Sequence, residues 1–196
     1  MPRLLVATTN THKVREIRGL LTAVPVELIT LAAWPTLAAP EETGATFEEN
    51  ARAKARYYAA ATGELTVAED SGLEIDALNG APGVESARYG GVDTSYPDKF
   101  SMIYKALRDR GAADSPARFV CAVALARGGE ILFETRGTVE GQIAAEPRGT
   151  GGFGYDPIFF YPPFGQTLAE AGDRKAAVSH RGAAFRALQA YLQSHF

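Results

Sequence analysis

The sequence has little cysteine, no long apolar run and no excess of charge, and each shortage excludes something. A single cysteine rules out an intrachain disulfide and fits a reducing compartment. That residue, Cys121, sits in the apolar run Phe119-Val120-Cys121-Ala122-Val123, which reads as a buried strand and not as the setting of a nucleophile. No apolar stretch approaches the roughly 20 residues that a membrane-spanning helix needs. The opening Met1-Pro2-Arg3-Leu4-Leu5-Val6-Ala7 turns polar at Thr8, too early for a signal peptide, so a cytoplasmic protein is expected. The formal net charge of -3 lacks the strongly basic footprint of a general nucleic-acid binder. A small anionic substrate is still compatible, because a few lysines in one place focus the local field.

What is present is an ordinary globular composition with one outlier. Hydrophobic residues make up 46% of 196, enough for a sizeable core in one large domain or in one domain with two lobes. Glycine, at 20 residues, exceeds its usual share of about 7%, and it clusters between residues 63 and 91 and between 128 and 154. Such clusters suit loops where the backbone approaches something closely.

Periodicity gives a mixed order of elements. Arg3 to Ala7 and Val26 to Leu31 read as strands, and Val14, Ile17, Leu20 and Leu21 give the apolar spacing of a helix over 11–21. Thr46 and Glu49 form a capping box before a helix with Phe47, Ala51, Ala55 and Tyr58 on its apolar stripe. Leu65 to Ala68 is a short strand expected to end at Glu69-Asp70-Ser71-Gly72. A helix opened by Pro97 turns Phe100, Ile103, Tyr104 and Leu107 inward. Arg118 to Arg127 and Glu130 to Gly137 pair as a hairpin across Gly128-Gly129. Ser179 caps a terminal helix buried through Ala184, Leu188 and Tyr191. The pattern predicts a mixed α/β protein, not an all-parallel doubly wound sheet.

Four constellations carry chemistry. Thr8-Thr9-Asn10-Thr11-His12-Lys13 opens the first helix, where amide donors, side-chain donors and the Lys13 charge suit an anion; an ordinary capped turn explains these residues equally well. Glu41-Glu42 in a loop and Glu69-Asp70 after a strand supply carboxylates on separate segments. Mg2+ usually takes only one or two protein carboxylates alongside substrate phosphates. A solvated Glu pair is the plain alternative for the first of these. Gly149 to Pro157 matches Gly-x-Gly-x-x-Gly in letters, but Pro157 arrives where the dinucleotide motif needs a helix. What is left is a small-residue loop carrying Phe153, Gly154, Tyr155 and Asp156, whose rings suit either a nucleobase or the core. Lys175 and Ser179-His180-Arg181 gather basic groups near the last helix. Asn50 and Lys54, one turn apart, project together, by default onto a solvated face.

In order and wording these segments closely resemble the inosine/xanthosine triphosphate pyrophosphatases, the Ham1-like family, over essentially the whole chain. The resemblance runs through Thr8 to Lys13 with Glu16, Glu41-Glu42-Thr43-Gly44 with Phe47, Glu49, Asn50, Ala51 and Lys54, and Asp70-Ser71-Gly72-Leu73. It continues through Gly80 to Gly83, Ser86 to Tyr89, Gly151 to Phe159, and Lys175 with Ser179 to Gly182. It implies an elongated two-lobed fold with a central mixed sheet flanked by helices and a cleft between the lobes. It also implies Mg2+, a homodimer, and cleavage between the α- and β-phosphates of non-canonical purine nucleotides. Asp70 becomes the proton acceptor and a metal ligand, with Glu41 the other metal-associated carboxylate. Thr8, Thr9, Asn10, Thr11, His12, Lys13 and Lys54 hold the triphosphate, and Ser71, Phe153, Gly154, Tyr155, Asp156, Lys175, His180 and Arg181 contact substrate. Two departures stand out: Glu69, where many bacterial relatives carry Asp, and Thr9, where many carry Gly. A nucleotide sensor without catalysis and a hydrolase of methylated or pyrimidine nucleotides are the rival readings. The first is disfavoured by the intact carboxylates and the second by Ser179-His180-Arg181.

Overall fold

The structure is a computed structural model that describes residues 1–196. It holds a seven-stranded mixed sheet in the order β2-β1-β3-β4-β5-β6-β7, built from β1 Arg3–Val6, β2 Glu27–Thr30, β3 Leu65–Ile75, β4 Pro116–Arg127, β5 Glu130–Ile143, β6 Phe159–Tyr161 and β7 Gln166–Thr167. β1 pairs in parallel with β2 and with β3. The later strands β5, β6 and β7 pair antiparallel, so the sheet is mixed, as the alternation of elements predicts. The helices are α1 Thr11–Leu20, α2 Phe47–Thr62, α3 Tyr96–Asp109, α4 Lys175–Val178 and α5 His180–His195. No helix is long and apolar enough to cross a membrane.

The helix boundaries follow from capping. The Asn10 side chain accepts from the amides of His12 and Lys13 and starts α1. Thr46 accepts from the Glu49 amide, while the Glu49 carboxylate takes the Ala45 amide, so the capping box closes one residue earlier than its sequence form. α2 stops at Gly63, whose φ of 74° is the left-handed conformation glycine adopts freely. Ser95 caps α3, with Pro97 in its first turn.

The chain divides into two compact units: residues 1–70, 121–137 and 180–196 form the first, and 71–120 and 138–179 the second. Each has its own core. In unit 1, Leu4, Val6, Ile17, Leu65, Val67, Cys121, Val123, Phe185 and Leu188 pack together. In unit 2, Leu73, Ile75, Phe100, Ile103, Leu107, Phe119, Ile143 and Phe159 do the same.

Two expectations are corrected here. Glu69-Asp70-Ser71-Gly72 does not end a strand; β3 runs on to Ile75. Gly72 permits this: a Cβ there would meet the Ser86 hydroxyl at 2.4 Å and the Gly83 carbonyl at 2.6 Å, and Ser86 Oγ accepts the Leu73 amide. Ser-Gly reads as a turn in sequence, but here it is a strand against which another segment presses. β5 likewise extends to Ile143, well past Gly137. At Gly137 a Cβ would lie 2.1 Å from the His180 carbonyl oxygen, so the missing side chain seats the start of α5 against the strand.

Candidate active site

Because β3 is continuous, its side chains alternate. Leu65, Val67 and Glu69 share one parity, and the first two belong to the core of unit 1. Thr66, Ala68 and Asp70 take the other face. Two adjacent carboxylates, both buried, therefore enter different surroundings.

Asp70 meets α2. Its Oδ2 accepts from Asn50 Nδ2 at 2.9 Å, and Asn50 Oδ1 accepts the Gly44 amide at 2.8 Å, which fixes the amide's orientation. Gly44 is required for that approach, since a Cβ would stand 2.6 Å from Asn50 Oδ1. Lys54, one turn along α2, donates to Glu42 Oε1 at 2.9 Å and lies 3.8 Å from Asp70 Oδ1. Burial raises the proton affinity of Asp70, Lys54 and Asn50 pull against it, and the balance leaves the carboxyl above its ordinary range. Burial also works against the Lys54 charge, but Asp70, Glu42 and Glu69 outweigh it and hold the ammonium protonated.

Glu69 enters a denser cationic setting. Lys13 Nζ sits 2.7 Å from its Oε1, Arg181 Nη2 lies 3.4 Å from the same oxygen, and the Cys121 thiol donates to Oε2 at 3.4 Å. Arg181 Nη1 donates to Glu16 Oε2 at 2.6 Å. Burial opposes the charge on Glu69, yet Lys13 and Arg181 keep its carboxyl well below the ordinary range. Burial and then Glu69 push the Cys121 thiol far up, which leaves it a protonated core residue, as expected of it.

A separate polar set lies within unit 2. Asp156 accepts from the Phe153 amide at 2.9 Å and from Lys175 Nζ at 2.7 Å, and that ammonium stands 5.0 Å from the centre of the Phe153 ring. Gly152, at φ 65°, leaves no room for a Cβ, which would fall 2.0 Å from Asp156 Oδ2. Asp156 opens a 3-10 turn and no helix follows, so the dinucleotide pattern is absent here in structure as well. Tyr155 belongs to the unit 2 core, and its hydroxyl donates to the Ser86 carbonyl at 2.7 Å.

The structure thus gathers Lys13, Lys54, Asp70 and Arg181 of the expected residues within unit 1, and Phe153, Asp156 and Lys175 within unit 2. Ser71 follows Asp70 in β3, half-buried, and His180 is buried at the first position of α5. Thr9, Asn10, Thr11 and His12 are exposed and Thr8 half-buried. Asn10 acts as the helix cap, and Thr8 Oγ1 accepts the Asn10 amide, so the capped-turn reading of this loop describes its hydrogen bonds. Of the glutamate pair, Glu42 reaches Lys54 while Glu41 is exposed. The solvated-face reading of Asn50 and Lys54 is corrected, since Asn50 is 1% exposed and holds Asp70. Their four-residue spacing was the signal. Glu16 carried none beyond the resemblance, because its ion pair with Arg181, 165 residues apart in sequence, leaves no local trace.

Glu42 and Asp70 converge on the single cation of Lys54. Two carboxylates presented together suit an oxygen-seeking divalent ion that keeps other positions for water and phosphate.

The model of the Ham1 family matches residues 4–191. The chain is 46% identical over 191 residues to a dITP/XTP pyrophosphatase of Exiguobacterium sibiricum, covering 97% of this chain and 96% of that one. It is 47% identical over 187 residues to a dITP/XTP pyrophosphatase of Thermus thermophilus, covering 95% and 89%. Among solved structures, a HAM1 protein from Coxiella burnetii aligns with a TM-score of 0.92 at 39% identity, covering 99% of this chain and all of that one.

Proposed function

The chain belongs to the Ham1 family, and from that premise we propose that it is a nucleoside-triphosphate pyrophosphatase acting on inosine, deoxyinosine and xanthosine triphosphates. The relatives named above as dITP/XTP pyrophosphatases support the reaction class. The observation that carries the reading is the buried Asp70, held by Asn50 and bridged through Lys54 to Glu42.

In this reading Asp70 accepts the proton of the attacking water. A carboxyl raised by burial is a better base for that step than a fully solvated one. Asn50 fixes its lone-pair direction. Glu42 and Asp70 would hold Mg2+, which when bound supplies neutralising charge to the phosphate oxygens. Lys13 and Lys54 donate to the phosphates and stabilise the charge that builds on departing pyrophosphate. Each lysine leaves a carboxylate partner to do so, and each partner keeps further support: Glu69 retains Arg181, and Asp70 retains Asn50. Phe153, Asp156 and Lys175 are assigned to the nucleoside. His180 and Arg181 are assigned to the purine six-carbonyl, since both donate hydrogen bonds that a carbonyl accepts and the amino group of adenine does not. The homodimer belongs to the same reading, and sedimentation of the purified chain tests it.

The deciding experiment is product analysis with inosine triphosphate and Mg2+ in water enriched in oxygen-18. Monophosphate and pyrophosphate are expected, with the label in the monophosphate. Diphosphate and orthophosphate would refute the reading. Glu42→Gln is expected to shift the Mg2+ activation curve to higher concentration, and Glu41→Gln to leave it in place.

A further inference from the structure

Tyr96 belongs to none of the four constellations, yet its side chain lies against the loop at 153–156. A Cβ on Gly154 would stand 3.6 Å from the Tyr96 hydroxyl oxygen and 3.7 Å from two of its ring carbons, so the tip of the tyrosine runs along the backbone there. Its ring meets that of Tyr155 edge-on, with 5.2 Å between the centres. Burial, and then the Asp156 carboxylate, raises the proton affinity of its hydroxyl. Asp156 in turn holds Lys175, whose ammonium stands by the Phe153 ring. All of these residues belong to unit 2.

The ring is held firmly for a residue that is 37% exposed. Ser95 caps α3 and so fixes the helix start that Tyr96 occupies, and Phe100 packs one turn later with 6.3 Å between ring centres. Lys99 supports the ring as well: its ammonium stands 4.6 Å from the ring centre and donates to the Ala87 carbonyl at 2.5 Å. Lys99 is 2% exposed, and its partners are that carbonyl and the ring, with no carboxylate. A buried ammonium without a counter-charge costs stability, and here it fixes an aromatic face. The hydroxyls of Tyr104 and Tyr155 are spent on backbone carbonyls; that of Tyr96 makes no such bond.

We propose that Tyr96 is a further nucleoside-binding residue, its hydroxyl bonding the nucleoside beside Phe153, Asp156 and Lys175, and that Lys99 is the positioning residue that fixes its ring. The proposal rests on the pyrophosphatase reading and deepens it. A tyrosine offers an apolar ring edge and a polar tip, which suits a nucleoside, itself part apolar ring and part hydroxyl. Its hydroxyl both donates and accepts, so it can meet a sugar hydroxyl or a purine carbonyl. A contact made to the nucleoside, away from the reacting phosphorus, is equally strong before and during the reaction. Its loss therefore raises KM and leaves kcat in place.

Steady-state hydrolysis of inosine triphosphate, with inorganic tripolyphosphate as a competing inhibitor, tests this. Tyr96→Phe keeps the ring and is expected to raise KM by about three- to tenfold, as for one hydrogen bond. Tyr96→Ala should raise it by about ten- to a hundredfold, since the packed ring is lost too. In both variants kcat and the inhibition constant of tripolyphosphate, which has no nucleoside, should stay near those of the parent. Lys99→Met should raise KM by about threefold in the parent and add nothing in the Tyr96→Ala background. A parent chain that does not hydrolyse inosine triphosphate overturns the pyrophosphatase reading and this proposal with it. If the parent hydrolyses it and both Tyr96 variants keep the parental KM, this proposal alone falls. It falls equally if kcat drops with KM unchanged, or if tripolyphosphate inhibition weakens in step with KM. An additive effect of Lys99→Met in the Tyr96→Ala background would remove Lys99 from its positioning role.

Discussion

The two faces of β3 give adjacent carboxylates contrasting surroundings. Glu69 and Asp70 are adjacent carboxylates on one backbone, both buried, and alternation sends them apart. On the first face two full cations, Lys13 and Arg181, contact Glu69. On the second a neutral amide holds Asp70, and the ammonium of Lys54, 3.8 Å away, is shared with Glu42. The result is opposite displacement of the two carboxyls, Glu69 downward and Asp70 upward. Burial raises both, so it cannot be what separates them. The number and closeness of cations decides. One carboxylate becomes a fixed anion that ties Lys13 to Arg181, and the other keeps an appetite for a proton.

The largest effect that tests this contrast is at Asp70. Asp70→Asn is expected to lower kcat by about 10²–10⁴-fold, as for loss of a general base, with the melting temperature little changed. Near-normal turnover in the folded variant would remove Asp70 from its role. Glu69→Gln should fail in a different way: stability falls by about 3–5 kcal/mol, because Lys13 and Arg181 lose a buried counter-charge. Its sign with pH also follows. A carboxyl held below its ordinary value near 4.5 contributes stability that is present above that value and is lost as pH falls below it. The gap between parent and Glu69→Gln in denaturant melts should therefore narrow in acid. A gap that stays constant from neutral pH to acid would mean that Glu69 acts through shape and not charge.

Asn50→Ala lies between these cases. It removes a hydrogen bond to a charged group, worth about 1.5–3 kcal/mol, and steady-state kinetics should show about a 10- to 100-fold loss in kcat with a smaller change in KM. An effect confined to KM would mean that Asn50 positions substrate and not Asp70. The smallest effect belongs to the solvent side of the same unit. Arg136→Ala breaks the ion pair with Glu48 and should cost less than about 1 kcal/mol, as exposed pairs do. A larger loss in a thermal melt would mean that charge alone, without burial, carries weight in this unit.

Much of the architecture was legible because it rests on local rules. Asn10, Thr46 and Gly128 mark boundaries through capping and turn chemistry within a few residues of each other. The hairpin across Gly128-Gly129 and the helix opened near Pro97 were visible for the same reason. The end of β3 was not, because Ser71-Gly72 looks like a turn until the segment at Gly83 to Ser86 is seen to press on it. Lys13 and Asp70 stood out from their places after strands, the resemblance gave them and Lys54 their roles, and the structure adds what surrounds them. Asn50 could be paired with Lys54 from spacing, but its burial and its hold on Asp70 could not.

The sequence alone determined the mixed α/β class, the helix starts, the family likeness and the identity of the side chains available for chemistry, since these depend on periodicity and on motifs read along the chain. Only the tertiary structure decided which glutamate of the pair at 41 and 42 meets Lys54, which cations surround Glu69, and that Tyr155 spends its hydroxyl inside the core. Those outcomes depend on segments far apart in sequence meeting within a few ångströms. Charge interactions at that range change sign and size with each neighbour, and no local pattern along the chain encodes them.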